Sequence, residues 1–177
     1  MADRPISVLF LCTGNSARSV LAESILNRLG RGRFIAHSAG SQPTGRINPF
    51  ALELLEGEGY PIGHLRSKSW DAFSGPDAPA IDYIVTVCDS AASEACPIWP
   101  GHPTTAHWGI PDPAAATGSD EDKRAAFRLA RDRLTRRIEQ FLALPLDSLD
   151  AESLRARLQG IGRIDDAAAD GAGGAAA

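Results

Sequence analysis

Five residues, Thr13, Gly14, Asn15, Ser16 and Ala17, separate Cys12 from Arg18, and Ser19 follows. The apolar run before Cys12, residues 6–11 (ISVLFL), predicts a short buried strand. Leu21, Ile25 and Leu29, with Ala22 and Leu26 beside them, predict an amphipathic helix after it. Cys12 therefore sits at a strand-to-helix turn, where a helix N-terminus and successive backbone N–H groups activate a thiol and cradle an anion. Arg18 adds a planar fork of donors that can grip two oxygens of a tetrahedral oxyanion. Gly14 permits close backbone approach, Asn15 tolerates a left-handed conformation, and Ser19 can offer its hydroxyl to the Cys12 sulfur. Cysteine burial statistics alone favour a plainer reading, a buried thiol closing a strand before an arginine that starts a helix. The residues between the two suit anion binding better than packing, and they decide against it. No Gly-Lys-Ser/Thr follows, so the turn is not a nucleotide P-loop, and one glycine cannot make a dinucleotide fingerprint.

Two further thiols, Cys88 and Cys96, have seven residues between them. Cys88 closes residues 81–87, the most strand-like stretch of the chain, as Cys12 closes the first strand. Ligands of open parallel sheets bind outside the carboxyl ends of the strands. Neighbouring strands lie roughly 4.8 Å apart, so adjacent strands would put Cys12 and Cys88 on one rim. A disulfide between them, with a Cα separation of about 4.4–6.8 Å, would then need only a modest loop movement. Cys96 follows the small polar segment DSAASEA and precedes Pro97, a suitable place for a thiol that swings toward solvent. Asp112, between Pro111 and Pro113, is a carboxylic acid on a stiffened loop that can protonate a departing oxygen, although Asp and Pro are also ordinary turn residues. His102 and His107 raise the possibility of a Cys2His2 zinc site with Cys88 and Cys96. The wide cysteine spacing is unlike the roughly two to four residues of structural zinc pairs. A metal is not expected, nor any cofactor. His37 and His64 are isolated and read as structural, and Trp70, Trp99 and Trp108 as core or loop anchors.

Those residues need a frame, and the chain supplies one. Residues 34–39 predict a second strand ending at Gly40, and Asn48-Pro49 opens a helix that stops near Gly57 or Gly59. Residues 70–73 predict one helical turn. Residues 97–118, rich in Pro and Gly, predict loop with a short strand near 106–108. Ser119 starts a long helix whose stripe is Phe127, Ala130, Leu134, Ile138 and Phe141, ended by Pro145. This alternation predicts an α/β single domain with an open, mostly parallel sheet. Leu154, Leu158 and Ile161 share one helical face able to dock on the body or on another subunit. Three parts are expected: a domain over 1–145, a helical extension over 146–166, and a disordered tail over 167–177, which contains only Ala, Gly and Asp170.

Length and composition set the outer limits. The 177 residues, 44% apolar, can bury one core, and a net charge of −4 argues against a nucleic-acid partner. No window reaches the roughly 18 consecutive apolar residues of a membrane span. The N-terminus lacks a secretory apolar segment, so a cytoplasmic location is expected. An odd set of three cysteines there is no structural disulfide framework.

The segment CTGNSARS resembles the low-molecular-weight tyrosine phosphatase superfamily, specifically its thiol-dependent arsenate reductase branch. The resemblance runs over about the first 140 residues. It includes Ser38-Ala39-Gly40, Asn48-Pro49, the strand leading to Cys88, Cys96-Pro97 and HWGIPDPA at 107–114. It implies a flavodoxin-like (phosphotyrosine phosphatase I-like) sheet with strand order 2-1-3-4. It implies that Cys12 attacks arsenate, or binds phosphate or sulfate as analogues, over the oxyanion loop Thr13–Ser19 with Arg18. Asp112 is then the general acid. Cys88 releases arsenite from the Cys12 adduct, Cys96 takes over the disulfide, and thioredoxin or another thiol reductant restores it. The Cys88–Cys96 connection is one residue longer than in the members it most resembles, and Ala17 stands where several carry a fourth cysteine. Ala114 replaces the aromatic residue with which phosphatase relatives stack phosphotyrosine. A phosphomonoester phosphatase and a thiolate module for metal or metalloid remain the alternative readings. Some members bind potassium through residues matching Glu23, Ser38 and an acidic side chain at the position of Lys68. A lysine there is expected to pair with Glu23 and make the ion redundant.

Overall fold

Seven consecutive residues with no exposed member form β1 (Ile6–Cys12), the central strand of the computed structural model, which describes residues 4–88, 99, 101 and 103–164. Strand β1 pairs in parallel with β2 (Phe34–Gly40) on one side and β3 (Tyr83–Thr86) on the other. Strand β4 (Thr104–His107) pairs with β3, giving the order β2-β1-β3-β4. The α/β sheet and its 2-1-3-4 order are those expected. A central strand is covered on both faces, and that explains an apolar run where an edge strand would alternate. Val8, Phe10 and Cys12 point into one core cluster, and Leu9 and Leu11 into another with Ala39, Phe73, Ile84 and Trp99.

The helices α1 (Arg18–Leu29), α2 (Pro49–Gly57), α3 (Asp120–Leu142) and α4 (Ala151–Ile161) pack into the first cluster. Asn48 caps α2 through the Phe50 N–H, with Pro49 at the first position. Ser119 and Asp122 form a reciprocal capping box at α3, and all five expected stripe residues of α3 are buried. Helix α1 departs from its expected stripe: Leu29 is exposed, while Val20, Leu21, Ala22, Ile25 and Leu26 are fully buried. A four-residue step overshoots the helical turn by about 40°, so two steps carry Leu29 off the face set by Leu21. Strand β3 is shorter than the predicted 81–87, and β4 starts two residues before the predicted 106–108.

Helix α4 docks on this chain. Leu158 and Ile161 are buried, the Trp108 indole N–H donates to the Leu158 carbonyl at 2.8 Å, and a Cβ on Gly162 would lie 2.3 Å from the His107 carbonyl oxygen. Among the described residues, no helix is long and apolar enough to cross a membrane. The tail 167–177, Cys96, Pro97 and His102 lie outside the described residues.

Candidate active site

Cys12 ends β1 at a loop three of whose carbonyls are held by residues outside it. Gln42 donates its N–H to the Thr13 carbonyl, Thr44 and Ser67 donate to that of Gly14, and Asn48 donates to that of Ser16. In a trans peptide the N–H opposes the C=O. The N–H groups of Gly14, Asn15 and Ala17 are thereby turned inward, over Cys12. One of them is accounted for directly: the Asn15 N–H donates to Cys12 Sγ at 3.2 Å. Helix α1 has Ala17 as its N-cap residue and no side-chain cap, so its leading amides can serve a ligand.

Asn15 takes the left-handed conformation (φ 46°) that the sequence suggested for it. Its fully buried side chain has a fixed orientation, because the Lys68 N–H can only donate and so meets Oδ1, at 2.9 Å. The Asn15 amide then donates to Ser19 Oγ at 2.8 Å, which leaves the Ser19 proton directed at Cys12 Sγ, 2.9 Å away. The sulfur thus sits under two donors.

Arg18 reaches over this loop. Its guanidinium donates to the Ile110 carbonyl at 3.0 Å and lies 3.7 Å from Asp112 Oδ2. Asp112 is the N-cap of a single 3-10 turn, Pro113–Ala115, and accepts from the Ala114 N–H at 3.0 Å through its other oxygen. One carboxylate oxygen is therefore fixed by the turn and the other faces Arg18. Cys88 follows β3 and is buried, with its sulfur 3.7 Å from Thr13 Oγ1. Two thiols and the anion loop share the carboxyl rim of β1 and β3, as adjacency of those strands required.

Gly40, read from the sequence as a strand end and as part of the Ser38-Ala39-Gly40 segment of the resemblance, is also a site residue. A Cβ there would lie 2.4 Å from the Thr13 carbonyl oxygen and 3.0 Å from the Asn15 nitrogen, so only glycine lets β2 approach the anion loop this closely.

The chain matches the family described as low molecular weight phosphotyrosine protein phosphatase over residues 7–156. It belongs to that family. Among its relatives is an arsenate reductase of Halalkalibacterium halodurans, 38% identical over 134 residues, covering 76% of this chain and 93% of that protein. An arsenate reductase of Bacillus subtilis is 37% identical over the same shares. A solved arsenate reductase in the phosphate binding state superposes with a TM-score of 0.63 at 26% identity, covering 78% of this chain and 97% of that one.

Glu23, Ser38 and Lys68, which the sequence resemblance linked to a cation, lie near one another. Ser38 donates to Glu23 Oε2 at 2.7 Å inside the core. Burial pushes the Glu23 carboxyl up, and the Lys68 charge, the Ser38 hydroxyl and His64 pull it back. Burial likewise lowers Lys68, and Glu23 raises it. The Lys68 ammonium donates to the Arg66 carbonyl at 3.2 Å, beside this carboxylate. The expected direct pairing of Lys68 with Glu23 is not formed: the ammonium bonds the Arg66 carbonyl and acts on Glu23 only through its charge.

Removing that ammonium has a signed consequence. Without Lys68 the Glu23 carboxyl moves further above its unfolded value. The stability it contributes is then complete below the unfolded value and lost as pH rises through the folded one. Lys68→Met is expected to melt several degrees below the parent near about pH 8, the gap narrowing toward about pH 5. Thermal melts of both proteins across that range check it, and a gap that widens on acidification contradicts it.

Proposed function

We propose that this chain reduces arsenate to arsenite through a three-thiol cascade. The observation that carries the reading is the buried Cys88 sulfur beside Thr13 of the anion loop. A hydrolase of this fold resolves its cysteine adduct with water and has no use for a second thiol at that point. The arsenate reductases among its relatives support the same reading.

In the first step the Cys12 thiolate attacks arsenic while Arg18 and the loop N–H groups hold the oxyanion, and Asp112 protonates the oxygen that leaves as water. Cys88 then attacks the Cys12 sulfur. A sulfur–sulfur bond forms, the sulfur–arsenic pair stays on arsenic, and As(V) departs as As(III) in arsenite. Cys96 attacks Cys88 and frees the Cys12 thiolate. An external dithiol, of the thioredoxin kind, reduces the Cys88–Cys96 disulfide. The oxyanion set is Thr13, Gly14, Asn15, Ser16, Ala17, Arg18 and Ser19. Residues 1–145 form the catalytic unit and 146–166 an extension that braces it. A cytoplasmic location suits three thiols that must be kept reduced.

The test is a single turnover. The fully reduced protein, mixed with one equivalent of arsenate and no external thiol, is expected to release about one equivalent of arsenite. No arsenite, together with efficient phosphotyrosine hydrolysis, would replace the reading with that of a phosphatase.

A further inference from the structure

Between the end of β4 and Asp112 the chain runs Trp108, Gly109, Ile110 and Pro111, and two arginines hold it from opposite ends. Arg18, already placed in the site, takes the Ile110 carbonyl. Arg137, from the middle of α3, takes the two before it: one guanidinium nitrogen donates to the Trp108 carbonyl at 2.9 Å and to the Gly109 carbonyl at 3.0 Å. Arg137 is only 1% exposed, among the most buried side chains described. A charged group is seldom buried so fully without a specific partner set. Here that set includes the backbone of the acid loop.

We propose that Arg137 is a positioning residue for general acid catalysis, acting through the loop that carries Asp112. The proposal rests on the reading of Asp112 as the acid. Trp108 continues the β4 ladder, its N–H donating to the Thr86 carbonyl, and the Ile110 N–H donates to that of Val87. Those bonds leave the peptide planes between them to be set by whatever takes the Trp108 and Gly109 carbonyls. His107, Gly109, Ile110 and Pro111 line a groove of about 570 Å³ together with Gln159 near the end of α4 and Gly162 and Arg163 just past it. Gly109 has no side chain with which to anchor itself. A guanidinium is planar and permanently charged, so it turns both carbonyls to one side and keeps them there at every pH. Past Ile110 only Pro111 intervenes before Asp112, and a proline passes on the direction it is given. The loop is thus referenced to α3 by Arg137 and to the anion site by Arg18, and the Asp112 carboxyl inherits both references.

A residue that merely stabilises the fold would lower all activities together, whereas one that positions the acid changes which leaving groups the enzyme can expel. Phenyl phosphate needs protonation of its departing oxygen far more than 4-nitrophenyl phosphate does. The ratio of the two hydrolysis rates is independent of how much of a variant is folded. In Asp112→Asn the phenyl phosphate rate is expected to fall on the order of 100-fold or more, with the 4-nitrophenyl rate much less affected. Arg137→Met is expected to shift the ratio in the same direction by about tenfold or more, and Arg137→Lys, which keeps a cationic donor but not the rigid planar N–H geometry, by less. If Asp112→Asn shifts the ratio and neither Arg137 variant does, Arg137 is structural only and the proposal falls alone. If Asp112→Asn leaves the ratio unchanged, Asp112 is not the acid, and the proposal falls with that reading.

Discussion

Cys12→Ser is expected to lower arsenate reduction on the order of 10⁴-fold or more while leaving the fold intact. The substitution changes one atom in a pocket that already accommodates hydroxyls. The Ser19 hydroxyl and Asn15 N–H that face the sulfur at 2.9 and 3.2 Å would accept an oxygen in its place. Packing is hardly disturbed. The chemistry is, because a serine hydroxyl stays protonated near neutral pH and oxygen cannot give up an electron pair to arsenic by forming a disulfide. Both the reductase and the phosphatase readings need the Cys12 nucleophile, so the same variant should also lose hydrolysis of aryl phosphates. Arsenite release and 4-nitrophenol release, measured on one preparation, check both losses. Retention of either activity would displace Cys12 from the centre of the site.

Cys88→Ser is expected to do something more selective. Arsenite formation should fall to background, while hydrolysis of 4-nitrophenyl phosphate remains within about tenfold of the parent. The difference lies in what resolves the intermediate. A phosphocysteine yields to water, which needs no second thiol, whereas the arsenic adduct must receive an attack on its sulfur for arsenic to keep the bonding pair. Cys88 is the thiol placed for that attack, buried on the rim of β3 with its sulfur against Thr13. Equal losses of the two activities would mean that Cys88 is needed for the shape of the site and not for electron transfer.

The sequence made the nucleophile legible because its chemistry is local. Strand, anion loop and helix N-terminus are contiguous from residue 6 to residue 29, and each is written in short-range signals: an apolar run, a residue tolerant of the left-handed region, a helical stripe. Asn15 was read from its residue type alone, and its φ of 46° agrees. The supports of the loop were not legible. Gly40, Ser67 and Thr44 meet residues 13–15 only once β2 lies beside β1; the sequence marked Gly40 as a strand end, but nothing in their own neighbourhoods marks Ser67 and Thr44. Arg137 is the extreme case. In the sequence it is one of several arginines on a strongly charged helix, next to Arg136, and periodicity assigns only its apolar neighbours Leu134 and Ile138 to the core. Its burial depends on two carbonyls nearly thirty positions away. Leu29 failed in the opposite sense, since an apolar residue at nearly the right spacing rotates off the buried face.

The central claim, that electrons leave through Cys12 and Cys88 in that order, is tested most directly by stopping the relay at its second link. In Cys96→Ser the disulfide has nowhere to move. One equivalent of arsenate, added to the reduced variant and followed by alkylation and digestion without reductant, should yield about one equivalent of arsenite. The peptides containing Cys12 and Cys88 should be found linked by a disulfide in the mass spectrum. Continued turnover with an external dithiol and no Cys12–Cys88 link would contradict the cascade.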